Sequence, residues 1–317
     1  MKDGLLLIDK EAGLTSHDVV QRVRRLLGQK KIGHCGTLDP DATGLLLLTL
    51  GTATRLTRFL IRAPKVYHGV IRFGVTTDTY DASGKVLAEA PAAAVAALDR
   101  RQVALAMHGF AGAIEQQAPP YSAKKVHGVK LYELARRGEE VPAEAKEVTI
   151  YEFEPDGELQ GGCLAFRLSC SSGTYARALA NDLGKLLGVG AHLAELRRLQ
   201  IGSFHVDAAL KLQALAALAA LAQSGEGGKG GESGELPAKA WLPFDEIPLP
   251  FDEVTTDSQQ ELRISHGQTV LVRELSGAEG DWVKLMNRRR QFIAIGTVIE
   301  KIGTAGVAIV QPKVVFK

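Results

Sequence analysis

The sequence has few cysteines and lacks the residue spacings on which metal sites and disulfide frameworks depend. Its 317 residues include three cysteines, Cys35, Cys163 and Cys170, and no C-x-x-C pair. An odd number of separated cysteines argues against a disulfide framework and against a cysteine-based zinc site, and it fits a reducing compartment such as the cytosol. The eight histidines form no H-E-x-x-H motif, so we predict no metal centre.

Long apolar runs and the common cofactor motifs are also missing. No run of about 18 apolar residues occurs, and the apolar stretch GLLLI (4–8) is too short for a secretory signal, so we expect a cytoplasmic protein without a membrane segment. No G-x-x-x-x-G-K-[ST] loop occurs, no G-x-G-x-x-G opens a helix after a predicted strand, and G-x-S-x-G is absent. These absences argue against P-loop nucleotidases, dinucleotide-dependent enzymes and serine hydrolases.

The net charge of +2 is too small to indicate a nucleic-acid partner, but the basic residues are clustered. RVRRLLGQKK (22–31) contains five basic residues and no acidic one, and KLMNRRR (284–290) contains four and no acidic one. A third cluster, at 123–137, has five basic residues and one glutamate. Each cluster alone is typical of a solvated helix face, whereas three together favour contacts with the phosphates of RNA or DNA.

Hydrophobic periodicity predicts alternating strands and helices, followed by a β-rich end. We expect strands at 4–10, 66–75 and 164–173, and helices at 15–28, 88–107, 174–188 and 212–223. Residues 76–84 read as a turn or loop, and the Gly- and Ser-rich stretch 224–236 reads as a flexible linker. Residues 247–317 are rich in Val, Ile and Thr with frequent glycines, which predicts a small all-β module.

One carboxylate stands out in GHCGTLDPDATGLL (33–46). Asp39 precedes Pro40, which stiffens the turn, and a leucine-rich segment follows directly. The residues alone allow a plain Asx-turn, or a rigid support for a reactive carboxylate kept ionised by a nearby arginine. Arg177 lies in the first turn of a predicted helix, where a cation is disfavoured, so it needs an anionic partner. Cys35 beside His34 does not suggest a thiol nucleophile, because sequence neighbours rarely form a base–nucleophile pair.

Taken together, these segments resemble the bacterial TruB-type tRNA pseudouridine synthases. The similarity covers nearly all of residues 4–204 in the family's order, and its most specific elements are G-H-x-G-x-L-D-P-x-A-T-G and G-T-Y-x-R. The matching segments are GLLLIDKEAGLTSHDVVQRVRRLL (4–27), KIGHCGTLDPDATGLLLLTLGTATRLTRFL (31–60), KVYHGVIRFGVTTDTYDASG (65–84), QAPPYSAKKVHGVKLYELARRG (117–138) and SCSSGTYARALANDLGKLLGVGAHLAELRRLQIGSF (169–204).

The resemblance implies an α/β (α+β) fold with a mixed, largely antiparallel sheet of the pseudouridine synthase type and flanking helices. A small C-terminal, β-rich, PUA-like RNA-binding domain would follow. We therefore expect a catalytic domain at 1–223, a flexible linker at 224–240 and the PUA-like domain at 241–317.

The same resemblance implies the roles of individual residues. Asp39 would be the catalytic nucleophile, Tyr67 would stack on the flipped uracil, and Arg177 would pair with Asp39. The remaining candidates would surround them: Tyr175 and Leu196 would line the pocket, His34 would lie near the RNA, and Lys10 would support the active-site loop.

The implied reaction converts uridine 55 in the T-loop of tRNA into pseudouridine. Since the bond from N1 to C1′ is exchanged for one from C5 to C1′ and nothing is added or lost, we expect no cofactor and no metal. The base must be flipped out of its stack. Attack by Asp39 at C6 of the base and attack at C1′ both remain open, as does the general base, for which Tyr67 is a candidate by position. The expected partner is the tRNA T-arm, with no protein partner, no membrane and a monomeric protein.

Two other functions are compatible with parts of the sequence. A non-catalytic RNA-binding protein or RNA chaperone would keep the basic clusters but would not need Asp39, Tyr67 and Arg177. A synthase that modifies ribosomal RNA under a guide RNA would usually carry extra terminal elements. The chain also departs from the family pattern at Glu11, Ser172 and Ala143, and the last two of these remove basic groups from the expected RNA-binding rim.

Overall fold

The computed structural model describes residues 2–119, 125–126, 129–130, 145–224, 236–303 and 306–316. In chain order, its strands are β1 (Gly4–Lys10), β2 (Ile32–His34), β3 (Thr43–Leu50), β4 (Lys65–Phe73), β5 (Val75–Thr77), β6 (Val86–Glu89), β7 (Gly112–Gln117), β8 (Lys125–Val126), β9 (Val129–Lys130), β10 (Ala145–Pro155), β11 (Cys163–Cys170), β12 (Ala191–Ile201), β13 (Phe204–His205), β14 (Leu210–Lys211), β15 (Trp241–Pro243), β16 (Asp252–Thr256), β17 (Val270–Val272), β18 (Trp282–Asn287), β19 (Phe292–Ile302) and β20 (Val307–Val315).

The helices flank these strands. They are α1 (Ser16–Leu27), α2 (Thr57–Leu60), α3 (Ala92–Ala96), α4 (Arg100–His108), α5 (Ala176–Leu186), α6 (Leu212–Ser224) and α7 (Ser258–Ser265), with short 3₁₀ turns at Gly51–Leu56, Val206–Ala208 and Phe244–Glu246. Within the described residues, no helix has the length and apolar character needed to cross a lipid bilayer.

A mixed, mostly antiparallel sheet forms the centre of the larger part of the chain. Its strand order is β14-β1-β3-β12-β4-β11-β10-β7, with β2 beside β3, β13 beside β12 and β15 beside β1. Within this sheet, the described pairs β1–β14 and β3–β12 are parallel and the other pairs are antiparallel. This architecture confirms the fold class predicted from the sequence.

The leucine-rich segment after Asp39 becomes β3, a strand buried on both faces. Leu45 and Leu47 pack into one apolar cluster, and Leu46 and Leu48 pack into another on the opposite side of the sheet. All four side chains are fully buried. Burial of a leucine contributes roughly 1.5–3 kcal/mol relative to exposure, so β3 is a firm base for the loop that precedes it.

Helix α1 confirms the predicted helix at 15–28. Thr15 and Asp18 form a reciprocal capping box at its start, and Gly28 ends it with a left-handed backbone (φ 60°). Val19, Val20 and the other apolar residues face the sheet, whereas Arg22 and Arg25 are exposed. The predicted helix at 174–188 and the strand at 164–173 are also found, as α5 and β11.

The predicted helix at 88–107 is interrupted. Residues 86–89 form strand β6, Pro91 precedes the short helix α3, and α4 begins only after Asp99. Proline cannot occupy a helix interior, and Asp99 has an extended backbone (φ −96°, ψ 132°), so neither position continues a helix. Alanine content alone suggested a longer helix than the backbone forms.

A second sheet, of order β16-β18-β19-β20-β17, forms the C-terminal part. The prediction of an all-β module missed α7, which begins with a capping box between Asp257 and Gln260. This helix has one fully buried apolar side chain, Ile264, so its periodicity is weak in the sequence. The linker prediction concerns residues that lie mostly outside the described ones.

The two sheets pack on each other through aromatic side chains. Phe59 of α2 makes edge-to-face contacts with Phe251 and Trp282. The guanidinium of Arg55 also joins the two parts, by a 2.6 Å hydrogen bond to the carbonyl of Val315.

Strand β15 pairs with β1, so residues 241–243, which the sequence assigned to the C-terminal domain, are part of the large sheet.

Candidate active site

The loop that carries Asp39 connects β2 to β3 and is held at several points. The hydroxyl of Ser16 accepts a 2.8 Å hydrogen bond from the amide of Leu38 and donates to the Leu38 carbonyl. The buried ammonium of Lys10 donates a 2.8 Å bond to the carbonyl of Pro40. Asp39 therefore stands between two residues whose backbones are fixed by α1 and β1.

Arg198 of β12 holds the same loop from the other side. Its guanidinium donates to the carbonyls of Leu45, Gly36 and Thr37 at 2.7, 3.1 and 3.4 Å, and only 1% of the residue is exposed. Its positive charge also acts on the phenol of Tyr67, whose pKa it lowers against the larger effect of burial. The sequence analysis missed Arg198, although strand alternation turns one of two adjacent arginines in a strand towards the interior.

Arg177 lies between two carboxylates. Its Nη2 is 3.4 Å from Oδ1 of Asp39, and its Nη1 is 3.4 Å from Oδ2 of Asp81. The arginine side chain is 6% exposed, compared with 43% for Asp39. Arg177 therefore has two anionic partners where the sequence predicted one. Asp81 was not predicted because it lies in a segment with the composition of an ordinary turn.

These groups face a cavity of about 450 Å³. Five of the seven candidate residues line it: Asp39, Tyr67, Tyr175, Arg177 and Leu196. Asp39 lies on the loop before β3, Tyr67 on β4 and Leu196 on β12, while Tyr175 and Arg177 lie at the start of α5. The first three come together because β12 lies between β3 and β4 in the sheet. The aromatic ring, the carboxylate and the guanidinium share one space large enough for a pyrimidine.

The other two candidates lie outside the cavity wall. Lys10 is completely buried, and burial lowers its pKa, while the nearby Asp41 and Asp39 act in the opposite direction. His34 is half-buried at the end of β2, where burial and the charge of Arg198 lower its pKa. Both therefore stand behind or beside the loop of Asp39, and neither lines the cavity.

Burial dominates the electrostatics of the carboxylate and the tyrosine. It raises the pKa of Asp39 above its usual value, and the charge of Arg177 opposes this shift without cancelling it. Burial likewise raises the pKa of Tyr67, so its phenol stays protonated near neutral pH. The sequence analysis anticipated the effect of the arginine but not the larger effect of burial.

The cysteines and the possible metal ligands offer no alternative centre. Burial raises the pKa of the Cys35 thiol to about 12, so it is not a reactive thiolate at neutral pH. In the part of the chain that the structure describes, no three histidine, cysteine or carboxylate side chains are grouped to hold a metal ion.

Two family models match the chain. Residues 24–176 match the TruB family pseudouridylate synthase N-terminal domain, and residues 177–250 match the tRNA pseudouridylate synthase B C-terminal domain.

Curated relatives carry the name tRNA pseudouridine synthase B. The protein of Aromatoleum aromaticum is 51% identical over 67% of this chain and 68% of its own length. The protein of Leifsonia xyli is 42% identical over 88% of this chain and 87% of its own length, and that of Solibacter usitatus is 40% identical over 94% and 96%.

Solved structures share the fold. A chain in an H/ACA RNP bound to a substrate RNA containing 2′-deoxyuridine has a TM-score of 0.74 and 25% identity, covering 99% of this chain and 85% of that one. A chain in a Cbf5-Nop10-Gar1 complex has the same TM-score and coverage, at 26% identity.

Proposed function

We propose that this chain, which belongs to the TruB family of pseudouridylate synthases, converts the uridine at position 55 in the T-loop of tRNA into pseudouridine. The chain is an isomerase of the pseudouridine synthase type. The observation that carries the proposal is the contact of Asp39 with Arg177, 3.4 Å, in a cavity that also contains the ring of Tyr67. The relatives named for action on tRNA share more sequence identity with it than the chains of the RNP complexes do.

Asp39 is the nucleophile in this proposal. A carboxylate suits covalent catalysis because it can attack and later leave. Arg177 favours its ionised form, whereas burial disfavours it and raises its pKa. The loop contacts of Lys10 and Arg198 keep it from turning away from the cavity.

Tyr67 provides the stacking face for the uracil. Its ring lines the cavity and is otherwise buried, and the register of β4 and β12 places Tyr67 opposite Arg198. Because burial raises the pKa of its phenol, Tyr67 is poorly suited to remove the proton from C5 as a phenolate. Its role is thus to bind and orient the base.

The target base enters the cavity only after it leaves its stack, which costs a few kcal/mol. Contacts of basic side chains with RNA phosphates offset this cost, and the C-terminal sheet contributes to them as a PUA-like RNA-binding domain. We place the catalytic domain at 1–223, the linker at 224–240 and the PUA-like domain at 241–317, although its first strand, β15, pairs with β1 of the catalytic sheet. The protein acts as a monomer in the bacterial cytoplasm.

The proposal is tested with an unmodified tRNA transcript. We expect the wild-type protein to form pseudouridine at position 55, mapped by carbodiimide labelling and primer extension, since the product has the mass of uridine. Asp39→Asn should bind the transcript but release no tritium from C5-labelled tRNA, because the amide is neither charged nor nucleophilic. Modification at another position, or normal tritium release by Asp39→Asn, would overturn the proposal.

A further inference from the structure

Four cationic side chains line the cavity, and three of them are occupied by protein groups. Arg177 bridges the two carboxylates described above, and Arg198 binds three carbonyls of the active-site loop. Lys65 donates to two carbonyls of the turn 61–63, at 2.7 and 2.6 Å. Lys146 is the fourth. Arg177, Arg198 and Lys65 therefore hold the protein groups that form the cavity.

Lys146 has far weaker contacts. It lies on β10 and is exposed, and its hydrogen bond to the carbonyl of Ser172 is long, 3.5 Å. No carboxylate of the described residues forms an ion pair with it. An ammonium has three donor hydrogens, so at least two remain available for a ligand.

The strand register fixes the direction of this side chain. Lys146 lies directly opposite Gln116 of β7, and directly paired residues point to the same face of a sheet. Gln116 is buried and holds Tyr175 by two hydrogen bonds, of 2.7 and 3.1 Å. Lys146 therefore faces the segment 172–175, which forms one wall of the cavity.

A glycine leaves room for the lysine to reach the cavity. A Cβ atom on Gly173 would collide with the ammonium of Lys146, and the backbone of this glycine has a positive φ of 90°. The ammonium is also near enough for its charge to contribute to the lowered pKa of Lys65, about 8, whose main cause is burial. The positive charges of Lys65 and Lys146 repel each other, which favours an anion beside the exposed Lys146.

The common structural role of a strand lysine does not account for Lys146. Exposed lysines often protect a sheet edge against aggregation. At Lys146, strand β10 pairs with β7, its pairing with β11 begins only at Ile150, and the ammonium lies at the Ser172 carbonyl of the cavity wall.

We infer that Lys146 binds a backbone phosphate of the RNA next to the nucleotide that enters the cavity. This inference rests on the proposed function. It assigns to Lys146 the contact that holds the flipped nucleotide at the cavity mouth, since that nucleotide brings its own phosphates to the rim while its base goes inside.

The test measures binding without turnover. Asp39→Asn and the double variant Asp39→Asn, Lys146→Gln are titrated with an unmodified tRNA transcript at several salt concentrations. The plot of log Kobs against log salt has a negative slope, and loss of one phosphate contact should make this slope less steep by about 0.7–0.9. Lys146→Arg in the same background should keep the slope, since it keeps the charge.

Lys211 provides the matched control. It is exposed on β14, at the end of the sheet opposite to β10 and β7, and Lys211→Gln removes the same charge. A smaller slope for Lys146→Gln and an unchanged slope for Lys211→Gln support the inference. An unchanged slope for Lys146→Gln, or an equal reduction in both variants, overturns it. Mapping of pseudouridine by the wild-type protein reports on the proposed function independently of these slopes.

Discussion

The ammonium of Lys10 donates a 2.8 Å hydrogen bond to the carbonyl of Pro40, the residue that follows Asp39. Lys10 ends the buried strand β1, so this bond ties the active-site loop to the centre of the sheet. A second bond, to the carbonyl of Glu11, satisfies another donor of the same ammonium. Lys10 thus stabilises the position of the proposed nucleophile without lining the cavity.

Lys10→Met should reduce turnover more than it reduces RNA binding. The methionine fills a similar volume but leaves the Pro40 carbonyl without its donor, so the carboxylate of Asp39 loses its fixed position. A displacement of about 1 Å can cost on the order of 100-fold in rate. Single-turnover kinetics and tRNA binding measure the two effects, and Lys211→Met, at an exposed lysine outside the basic clusters, is the control. Equal losses in rate and affinity would contradict this role.

Arg198→Met should destabilise the fold more than Arg197→Met. Arg198 is buried and satisfies three carbonyls, and each unsatisfied buried acceptor costs about 1–3 kcal/mol. The Arg197 side chain is 40% exposed in its ion pair with Asp9, and a pair of this kind contributes about 1 kcal/mol or less. Urea denaturation of the two variants compares them directly. If Arg197→Met were the less stable protein, the loop-holding role of Arg198 would be wrong.

Asp39→Asn should stabilise the protein at neutral pH. The folded pKa of Asp39 is raised above its unfolded value, so its ionisation disfavours the folded state wherever the pH exceeds both values. The neutral amide avoids this cost, and the gain disappears as the pH falls below the unfolded value of about 3.9. Thermal unfolding at pH 7 and at lower pH tests the sign. A lower Tm for Asp39→Asn at pH 7 would contradict it.

Asp81→Asn should move the acidic limb of the pH–rate profile to lower pH. The negative charge of Asp81 contributes to the raised pKa of Asp39, so its removal makes the carboxylate of Asp39 easier to ionise. The position of the limb can be read even if the maximal rate falls, because it reports a pKa and not a rate. Glu158→Gln, at an exposed carboxylate near Arg100, is the control. A limb that stays in place, or moves to higher pH, would contradict the expected coupling.

Gly44→Ala should be more destabilising than Gly13→Ala. Both glycines have a positive φ, of 99° and 80°, which costs a residue with a side chain about 1–2 kcal/mol. At Gly13 the space for a Cβ is open, whereas at Gly44 the Cβ would overlap the backbone of Arg198. Overpacking adds about 1–3 kcal/mol at Gly44. The free energies of unfolding in urea give the comparison, and equal losses would show that the close contact of β3 and β12 is easily relieved.

Local patterns predicted the strands β1, β4 and β11 and the helices α1, α5 and α6, and they failed where a break in the backbone or a weak hydrophobic period determined the element. The apolar period of residues 15–28 predicted α1, and the capping box of Thr15 and Asp18 and the terminal Gly28 fix its ends, because both signals act over a few residues. The alanines of 88–107 suggested one helix, but Asp99 interrupts it. Helix α7 was missed because only one of its apolar residues is fully buried.

The sequence by itself determined the leucine-rich segment after Asp39, the expectation of an anion beside Arg177 and, through its motifs, the family. Only the tertiary structure decided which anion that is, since Asp39 and Arg177 are 138 positions apart. It also decided the role of Arg198, which is in register with Gly44 on one neighbouring strand and with Tyr67 on the other. Caps and hydrophobic periods act over a few residues, whereas the order of strands in a sheet arises from burial of the whole chain. Strand β12 therefore brings the loop of Asp39 close to Tyr67, and no local sequence pattern predicts this.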